Sequence, residues 1–302
     1  MTDAASTGAI AGFWSVWLMA ARPATLTAAV TPVLVGTATA SHDGHFRVLP
    51  FAGALLAAAL IQVGTNLGND LADFERGADA ADRLGPPRVT QSGLASPQSV
   101  RTAMYLAFGA AAAIGVYLIA VGGWPILAIG VLSIAAGIAY TGGPWPLGYH
   151  GLGEVFVFVF FGVVAVVGSY YLQAGEVGTI AWVTAVPVGL IVTAILVVNN
   201  LRDIESDRRA GKMTLAVRVG ARLTRVQYAL FVLAPYALVA GFAAAGPLPG
   251  SSVLAWLSLP IALILAGTVL GGAEGRRLNG ILKGTTQLHL LFGALLAGSL
   301  LI

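Results

Sequence analysis

Nine long apolar runs divide the chain, each roughly 16–22 residues long, which is close to the length that an α-helix needs to cross a bilayer. Charged residues make up only 10% of the sequence, whereas a soluble domain carries about 25%. Cysteine is absent, which excludes disulfides, thiolate catalysis and cysteine metal sites. We therefore expect an all-α, polytopic membrane bundle of about nine transmembrane helices.

The basic residues predict the orientation of this bundle. With the N-terminus in the cytoplasm, 15 of the 16 Lys and Arg residues fall on the cytoplasmic side, and only Arg47 falls outside. This asymmetry is the positive-inside pattern of a multi-pass protein, here in the cell (inner) membrane, with its C-terminus outside. We divide the chain into a cytoplasmic or interfacial segment, 1–22, and a single transmembrane domain, 23–302, with cytoplasmic loops 70–100, 141–152, 201–225 and 272–284.

Two acidic clusters interrupt this apolar sequence, and they contain eight of its 13 acidic residues. Each cluster begins with Asn at the end of an apolar run, where a carboxylate is costly to bury unless it is paired, bound to metal or hydrated. The polar residues of the first cluster are Asn66, Asn69, Asp70, Asp73, Glu75, Asp79 and Asp82, and those of the second are Asn199, Asn200, Asp203, Glu205 and Asp207.

The spacing within each cluster suits a hard divalent cation. Asp70 and Asp73 are three residues apart, and Asp203 and Asp207 are four apart, so each pair lies on one side of a helix. Mg2+ takes few protein ligands and completes its shell with water and phosphate oxygens. The same acids could instead form ion pairs on a hydrated loop. The basic residues that could bind either the phosphates or the acids are Arg22, Arg88, Arg202, Arg208 and Lys212.

Several motifs resemble those of one protein family. Asn69-Asp70-x-x-Asp73 and Asp203-x-x-x-Asp207 are similar to the two aspartate-rich motifs of the UbiA superfamily of intramembrane prenyltransferases. The third acid of the superfamily pattern would fall on Gly77, and here it is displaced to Asp79. The blocks that resemble the 1,4-dihydroxy-2-naphthoate branch of menaquinone biosynthesis are Ala21-Arg22-Pro23-Ala24-Thr25-Leu26 with Val35-Gly36-Thr37, Arg88-Val89-Thr90-Gln91-Ser92-Gly93, Tyr140-Thr141-Gly142-Gly143-Pro144-Trp145-Pro146-Leu147-Gly148-Tyr149, Gly151-Leu152-Gly153-Glu154 and Asn199-Asn200-Leu201-Arg202-Asp203.

The resemblance covers about residues 20–300 and implies a UbiA-like fold and a reaction that depends on two Mg2+ ions. A polyprenyl group would leave polyprenyl diphosphate as a carbocation within an apolar cavity. The ring carbon of 1,4-dihydroxy-2-naphthoate that bears the carboxylate would attack it, and loss of CO2 and diphosphate would give demethylmenaquinone. The implied partners are these two substrates and membrane lipid, with no nucleic acid.

The resemblance also implies a role for each residue of the site. The metal ligands would be Asp70, Asp73, Asp79, Asp203 and Asp207. The catalytic residues would be Asp70, Asp73, Asp203, Asp207 and Tyr140. Substrate binding would involve Arg22, Asn66, Asn69, Arg88, Gln91, Asn199, Asn200, Arg202 and Lys212.

Other residues near the motifs have a simpler interpretation beside a functional one. Tyr140 could stabilise the carbocation or belong to the aromatic belt at the membrane interface. Glu154 is more readily explained as a carboxylate that complements a helix N-terminus than as a catalytic group. Four aromatic residues do not share one face of an α-helix, so we expect most of them to pack or to face lipid and one or two to line the prenyl cavity: Phe156, Phe158, Phe160 and Phe161.

Two other functions are compatible with the clusters. A related prenyltransferase with another aromatic acceptor, such as 4-hydroxybenzoate, would use the same two motifs. A divalent-cation transporter could use the acids as coordination sites, but its polar groups would be spread through the depth of the bundle. The apolar runs offer little of that kind beyond Gln62, Thr193 and His289.

Overall fold

A computed structural model describes residues 12–77 and 84–302 of the chain, and within these ranges the chain is mostly helical and contains no strand. The expected all-α class is confirmed. Two 3-10 helices, Leu147–His150 and Gly250–Ser258, and a π-helical segment, Phe158–Val164, accompany the α-helices. The α-helices are α1 Phe13–Ala21, α2 Pro23–His42, α3 Val48–Glu75, α4 Pro97–Gly122, α5 Trp124–Ala139, α6 Gly153–Val157, α7 Ala165–Ala174, α8 Thr179–Arg209, α9 Leu215–Ala245, α10 Leu259–Leu270 and α11 Arg277–Ser299.

Each of the nine apolar runs forms a helix. Within the described ranges, seven helical segments are long and apolar enough to cross a bilayer, when Gly153–Ala174 and Gly250–Leu270 are counted as continuous. The other two are α5, which is apolar but only 16 residues long, and α11, whose 23 residues include Lys283 and His289. Nine is therefore an approximate count of the membrane crossings.

Several helices extend beyond the apolar runs into the expected loops. α3 continues to Glu75 and α8 to Arg209, so both acidic clusters lie largely on helices. α9 begins at Leu215, where the hydroxyl of Thr214 caps the helix by accepting a hydrogen bond from the backbone N–H of Val217. Most of the expected loop 201–225 is therefore helical, because hydropathy marks the part of a helix that lies in lipid and not its hydrated end.

The helix that contains α6 and α7 packs closely against α8. A Cβ atom built on Gly162 would lie 2.5 Å from the Cα of Gly189, so only glycine allows the two backbones to approach in this way. Gly162 belongs to the π-helical segment, whose i→i+5 hydrogen bonds widen the helix. The close contact and the wider turn together position the segment that carries Phe160 and Phe161.

Contacts between the connecting segments define two ends of the bundle. At the end that we call the motif end, the Tyr149 hydroxyl binds Asp73 and the backbone N–H of Met213 donates to the Tyr149 carbonyl at 3.0 Å. At the opposite end, Nδ1 of His42 lies 2.9 Å from the carbonyl oxygen of Leu300. The described residues of both acidic clusters therefore lie at one end, and the C-terminus lies at the other.

Candidate active site

One stripe of side chains along α3 lines an apolar cavity and ends at the aspartates of the first acidic cluster. Asp73, which is only 3% exposed, lies one helical turn beyond the last residue of this stripe that lines the cavity. Over the lining residues the helix rises about 22 Å along its axis. The stripe becomes polar only as it reaches the motif end. Its lining residues recur at helical spacing and are Ala54, Ala57, Ala58, Ile61, Gln62, Thr65 and Asn69.

α8 repeats this arrangement with the second cluster. Leu196 lines the same cavity, and Asn200, Asp203 and Asp207 follow it at intervals of four, three and four residues. All three polar side chains are buried. Two helices that are far apart in the sequence thus carry their aspartates to the motif end of one cavity.

The cavity has a volume of about 410 Å3 and is walled mainly by apolar side chains. Phe156, Phe160 and Phe161 contribute to this wall, so the expectation that most of the four phenylalanines pack or face lipid is wrong. The rings of Phe156 and Phe160 stack with centroids 5.8 Å apart, and Phe160 and Phe161 lie within the π-helical segment. Such a wall would accommodate a hydrocarbon chain and exclude water.

Asp70 orders the loop that precedes α4. Its Oδ2 accepts a hydrogen bond from the backbone N–H of Val89, and its Oδ1 accepts one from that of Thr90, each at 3.1 Å. A carboxylate that accepts from backbone N–H groups forms strong, charge-assisted hydrogen bonds. Asp70 therefore holds the Arg88–Gly93 block against the end of α3.

Asp73 joins α3 to two connecting segments. Its Oδ2 forms a buried ion pair with the guanidinium group of Arg88, and its Oδ1 accepts a hydrogen bond of 2.9 Å from the hydroxyl of Tyr149. Burial raises the pKa of Tyr149, and the charge of Asp73 and the hydrogen bond to it raise that pKa further. The phenol is therefore protonated at neutral pH and acts as a donor.

Arg202 organises the second cluster. Its Nε and Nη2 donate to the two carboxylate oxygens of Asp203 at 2.8 and 2.6 Å, and Nη2 also donates to Asn199 at 2.8 Å. Its Nη1 donates to Oδ1 of Asn279 at 2.8 Å, and Nδ2 of Asn279 donates to the carbonyl oxygen of Leu84 at 2.8 Å. α11 therefore connects the second cluster to the segment just before the Arg88–Gly93 block.

Tyr149 links the two clusters across the motif end. Its hydroxyl binds Asp73, and Nζ of Lys212 lies 5.1 Å from the centroid of its ring. The same Nζ lies 3.9 Å from Oδ1 of Asp207, and the guanidinium carbon of Arg76 lies 5.2 Å from the ring centroid. Asp73 and Asp207 are therefore connected through one tyrosine and one lysine, with two cations facing the ring.

Tyr140 lies just beyond the end of α5 and lines the cavity. Glu154, Asp207 and Asp73 are all near enough to its hydroxyl to interact with it electrostatically. The side chain therefore lies at the boundary between the apolar wall of the cavity and the two acidic clusters. This position agrees with a role in the reaction better than with a place in an aromatic belt facing lipid.

Asn66 secures the corner between α1 and α2. Its Nδ2 donates to the carbonyl oxygen of Ala21 at 2.8 Å and to the hydroxyl of Thr25 at 2.9 Å. The corner residue between them, Arg22, has a φ of 53°, which is uncommon for a residue with a side chain. The contacts of Asn66 thus hold Arg22 in place beside the first cluster.

The other predicted binding residues lie on the connecting segments or face them. The Oδ1 of Asn69 accepts a hydrogen bond of 2.6 Å from the hydroxyl of Thr141, and Gln91 is half-buried in the Arg88–Gly93 block. Arg208 is exposed and pairs with Glu205 at 3.0 Å, away from the buried acids. The predicted metal ligand Asp79 lies outside the described residues.

The donor atoms of the two clusters fit a hard divalent cation, because the buried aspartates offer only carboxylate oxygens. Within residues 12–77 and 84–302, no three acidic or histidine side chains are close enough to hold an ion by themselves. An ion bound here would therefore use few protein ligands and take the rest of its shell from water and substrate, which is the habit of Mg2+.

Three residues that shape the site, Arg76, Tyr149 and Asn279, were not among the predicted site residues. Tyr149 had a detectable signal, since it follows a Gly- and Pro-rich stretch within a polar loop. Asn279 had none, because its two contacts are with residues 77 and 195 positions away along the chain. Such contacts depend on how helices pack and not on local spacing.

A helical bundle that carries two buried acidic pairs beside an apolar cavity defines an intramembrane enzyme for substrates with a hydrocarbon tail and an anionic head. Residues 29–277 match the model of the UbiA prenyltransferase family, and the chain belongs to this family. It is a multi-pass membrane protein.

Similar proteins from several bacteria share most of this chain. The chain is 39% identical over 284 residues to "1,4-dihydroxy-2-naphthoate octaprenyltransferase" of Mycobacterium tuberculosis, covering 94% of this chain and 96% of that protein. It is 41% identical over 232 residues to the protein of the same name from Escherichia coli, covering 75% of each. The protein of that name from Bacillus subtilis is 32% identical over 93% of this chain and 90% of its own length.

Solved structures share the fold at low sequence identity. A UbiA homologue from Archaeoglobus fulgidus, bound to GPP and Mg2+, superposes with a TM-score of 0.70 at 17% identity, covering 95% of this chain and 99% of that one. The apo structure of a UbiA homologue from Aeropyrum pernix K1 also gives 0.70, at 15% identity, and covers 88% and 96% of the two chains. These likenesses establish the UbiA fold for this chain.

Proposed function

We propose that this protein transfers a polyprenyl group from polyprenyl diphosphate to 1,4-dihydroxy-2-naphthoate, with loss of CO2 and diphosphate, to give demethylmenaquinol, which oxygen in air oxidises to demethylmenaquinone. The similar proteins of three bacteria carry this acceptor in their names. The observation that carries the proposal is that α3 and α8 both lead from the wall of one apolar cavity to a buried pair of aspartates. A substrate with a long hydrocarbon tail and a diphosphate head matches both parts.

The donor would bind with its tail in the cavity and its diphosphate between the clusters. Two cations already stand there, because Arg88 contacts Asp73 and Lys212 lies near Asp207. Both would exchange part of this pairing for phosphate oxygens, to which cationic side chains bind strongly. The Arg88–Gly93 block, held by Asp70, would cover the head group and place Gln91 beside it.

Divalent metal would be held by the buried carboxylates of Asp70, Asp73, Asp203 and Asp207, and we infer two ions, one for each pair, with Asp79 as a further ligand. When bound, Mg2+ stabilises the charge that develops on a leaving diphosphate. The protein itself contributes the orientation of these carboxylates: backbone N–H groups fix Asp70, Tyr149 fixes Asp73, and Arg202 fixes Asp203.

The allylic C–O bond would break with its electron pair leaving on the diphosphate, and the carbocation would remain in the apolar cavity, where water is excluded. Tyr140, at the rim of the cavity, would stabilise the cation with the face of its ring. The nucleophilic ring carbon of the acceptor would then form the new C–C bond. Asn69, Asn199 and Asn200 lie on the same stripes as the aspartates or next to them and would bind polar groups of the two substrates.

The motif end would face the cytoplasm and the C-terminus would lie outside. In this orientation 15 of the 16 Lys and Arg residues of the sequence belong to the segments assigned to the cytoplasmic side, as the positive-inside pattern requires. Both charged head groups would then approach from the cytoplasm, while the hydrocarbon tail of the donor would enter from the bilayer.

The test is product analysis by mass spectrometry with the purified full-length protein in lipid nanodiscs. We expect demethylmenaquinone from 1,4-dihydroxy-2-naphthoate and a polyprenyl diphosphate, release of labelled CO2 from a carboxyl-labelled acceptor, and loss of both when EDTA removes divalent metal. Donors of several lengths would establish the preferred chain. Prenylated 4-hydroxybenzoate as the main product, with no CO2 released, would contradict the proposed acceptor.

The transporter alternative is less well supported. The four aspartates of the described clusters all lie at the motif end, and a conduction path would need polar groups through the depth of the bundle. Metal flux into liposomes that contain the protein but no prenyl donor would support transport. We expect none.

A further inference from the structure

Glu154 is a buried carboxylate that none of the steps above uses. It is 6% exposed, and its Oε1 accepts a hydrogen bond of 3.0 Å from Nδ2 of Asn200. Its Oε2 is buried and has no hydrogen-bond partner within the described part of the chain. Leaving such an oxygen without a partner is unfavourable, and more so for a charged group. A group that a substrate brings to the site would remove this cost.

Glu154 lies beside the cavity, next to residues that line it. Val157, which is three residues further on, lies on the same side of this helix and lines the cavity. Asn200, which binds Glu154, lies one turn from Leu196, another lining residue. The carboxylate therefore stands between the apolar wall and the aspartates of α8.

Tyr140 approaches Glu154 from the end of α5. A Cβ atom built on the preceding residue, Gly153, would lie only 2.9 Å from the Tyr140 hydroxyl oxygen, so the tyrosine packs directly against the start of α6. A planar aromatic ring at the rim would therefore meet Tyr140, the wall of the cavity and the free oxygen of Glu154. Asp73 and Asp203 are paired with arginine, and both oxygens of Asp70 accept hydrogen bonds from backbone N–H groups, whereas Glu154 is bound through one oxygen only, to a neutral amide.

We propose that Glu154 accepts a proton from the aromatic substrate. It would bind the ring hydroxyl next to the carbon that attacks the prenyl group. This inference rests on the proposed function and assigns a catalytic residue within it. Asn200 is a positioning residue in this scheme, since it fixes Oε1 and leaves Oε2 for the substrate.

The step balances as follows. The hydroxyl proton moves to Glu154, the O–H electron pair becomes a C=O bond, and a ring π-electron pair forms the C–C bond to the allylic carbon whose C–O pair has left with diphosphate. The product of this step is a β-keto carboxylate. Its C–CO2 bond then breaks, the electron pair restores the aromatic ring, and Glu154 returns the proton to the oxygen. The enzyme ends unchanged, and the four negative charges of the two substrates leave on diphosphate.

Several other titratable groups lie on the elements packed against α6 and would contribute to any pH profile. They are Tyr140, Tyr149 and His150 on the 140–152 connection, and Arg202, Asp203, Glu205, Asp207, Arg208 and Arg209 on α8. For this reason the test compares variants at Glu154 with each other and does not rely on the profile of the wild type alone.

The experiment measures product formation by the Glu154→Gln variant at saturating prenyl donor over a range of pH. Glu176→Gln is the control, because Glu176 is exposed near the end of the bundle opposite the motif end. We expect Glu154→Gln to lower kcat/KM for the acceptor by about 10²–10⁴-fold, as for loss of a general base, and to leave KM for the donor unchanged. The deficit should narrow as the pH rises, because an acceptor that ionises in solution no longer needs the base. Glu154→Asp should recover part of the rate, and Glu176→Gln should match the wild type.

Three outcomes would overturn the inference: a Glu154→Gln rate within twofold of wild type, a deficit that does not change with pH, or a loss carried by KM for the donor. Thermal unfolding of each variant identifies a fold defect. A Glu154→Asp variant that is folded but as slow as Glu154→Gln at every pH would also count against proton transfer. If the wild type itself forms no product from 1,4-dihydroxy-2-naphthoate, the proposed function fails, which is a different result from an active wild type whose Glu154 variants are unaffected.

Discussion

Tyr149 donates a hydrogen bond of 2.9 Å to Asp73, and the ring of the same tyrosine lies 5.1 Å from the ammonium group that faces Asp207. One side chain of the 140–152 connection thus contacts the first acidic cluster and the cation of the second. Because burial and Asp73 raise the pKa of Tyr149, the hydroxyl keeps its proton and holds one oxygen of Asp73 in a fixed direction.

Tyr149→Phe should weaken donor binding without unfolding the protein. The variant keeps the ring that faces Lys212 and removes only the hydroxyl, and a hydrogen bond to a charged group contributes about 1.5–3 kcal/mol, so kcat/KM for the prenyl donor should fall roughly ten- to hundredfold. Initial rates over a range of donor concentrations measure this. Tyr105→Phe is the matched control, because Tyr105 is 62% exposed on α4. Equal donor dependence in the two variants would show that the contact with Asp73 is incidental.

The acids of α8 allow a comparison on a single helix. Asp203 and Asp207 are buried, whereas Glu205 lies between them in sequence, is exposed and pairs with Arg208 at 3.0 Å. Asp203→Asn and Asp207→Asn should each lower turnover by about 10²–10³-fold or more and raise the Mg2+ concentration needed for half-maximal rate. Glu205→Gln changes the charge equally and should stay within twofold of wild type. A loss of similar size in all three variants would indicate a general effect of charge and not a metal site.

The fold could be predicted from the sequence because lipid imposes a simple rule: a spanning segment must be apolar and must satisfy its own backbone hydrogen bonds. The helix ends could not be predicted in the same way. Once α3 and α8 leave the membrane, hydropathy no longer reports them, although they continue to Glu75 and Arg209. The π-helical turn was also hidden, and three of the four phenylalanines line the cavity where one or two were expected.

The site was predictable to the extent that it depends on spacing along one helix. The pairs Asp70 and Asp73, and Asp203 and Asp207, could be recognised because residues three and four apart share a face. The partners of Asp73 could not be recognised, since its donors Arg88 and Tyr149 lie 15 and 76 residues further along the chain. The partner is chosen by the packing of the connecting segments, which local sequence does not encode.

Asn279 provides a test of how α11 contributes to the site. It accepts from Arg202 and donates to the carbonyl oxygen of Leu84, each at 2.8 Å, so it ties the second cluster to the loop segment before Arg88. Asn279→Ala loses both hydrogen bonds, each worth about 0.5–1.5 kcal/mol or somewhat more where a charge is involved, and should raise KM for the donor about three- to tenfold.

Asn279→Asp separates the two contacts. Its carboxylate can still accept from Arg202 but cannot donate to Leu84. Hydrogen exchange of the segment 84–93 should therefore increase in both variants, whereas the exchange of α8 near Arg202 should increase only in Asn279→Ala. Unchanged exchange of segment 84–93 in both variants would show that Asn279 does not hold this loop.

The contact between Gly162 and Gly189 sets the shape of the cavity, and a single methyl group tests it. In Gly162→Ala the new Cβ would lie 2.5 Å from the Cα of Gly189, so α8 and the π-helical segment must separate. Overpacking of this kind costs about 1–3 kcal/mol, and Tm should fall by several degrees. The rings of Phe160 and Phe161 would move with the segment, so the preferred length of the prenyl donor should change as well.

Gly109→Ala is the control, because a Cβ there meets nothing within 4 Å and alanine favours a helix by about 0.5–1 kcal/mol. If Gly162→Ala is as stable as Gly109→Ala and keeps the donor preference of the wild type, the glycine contact does not determine the cavity.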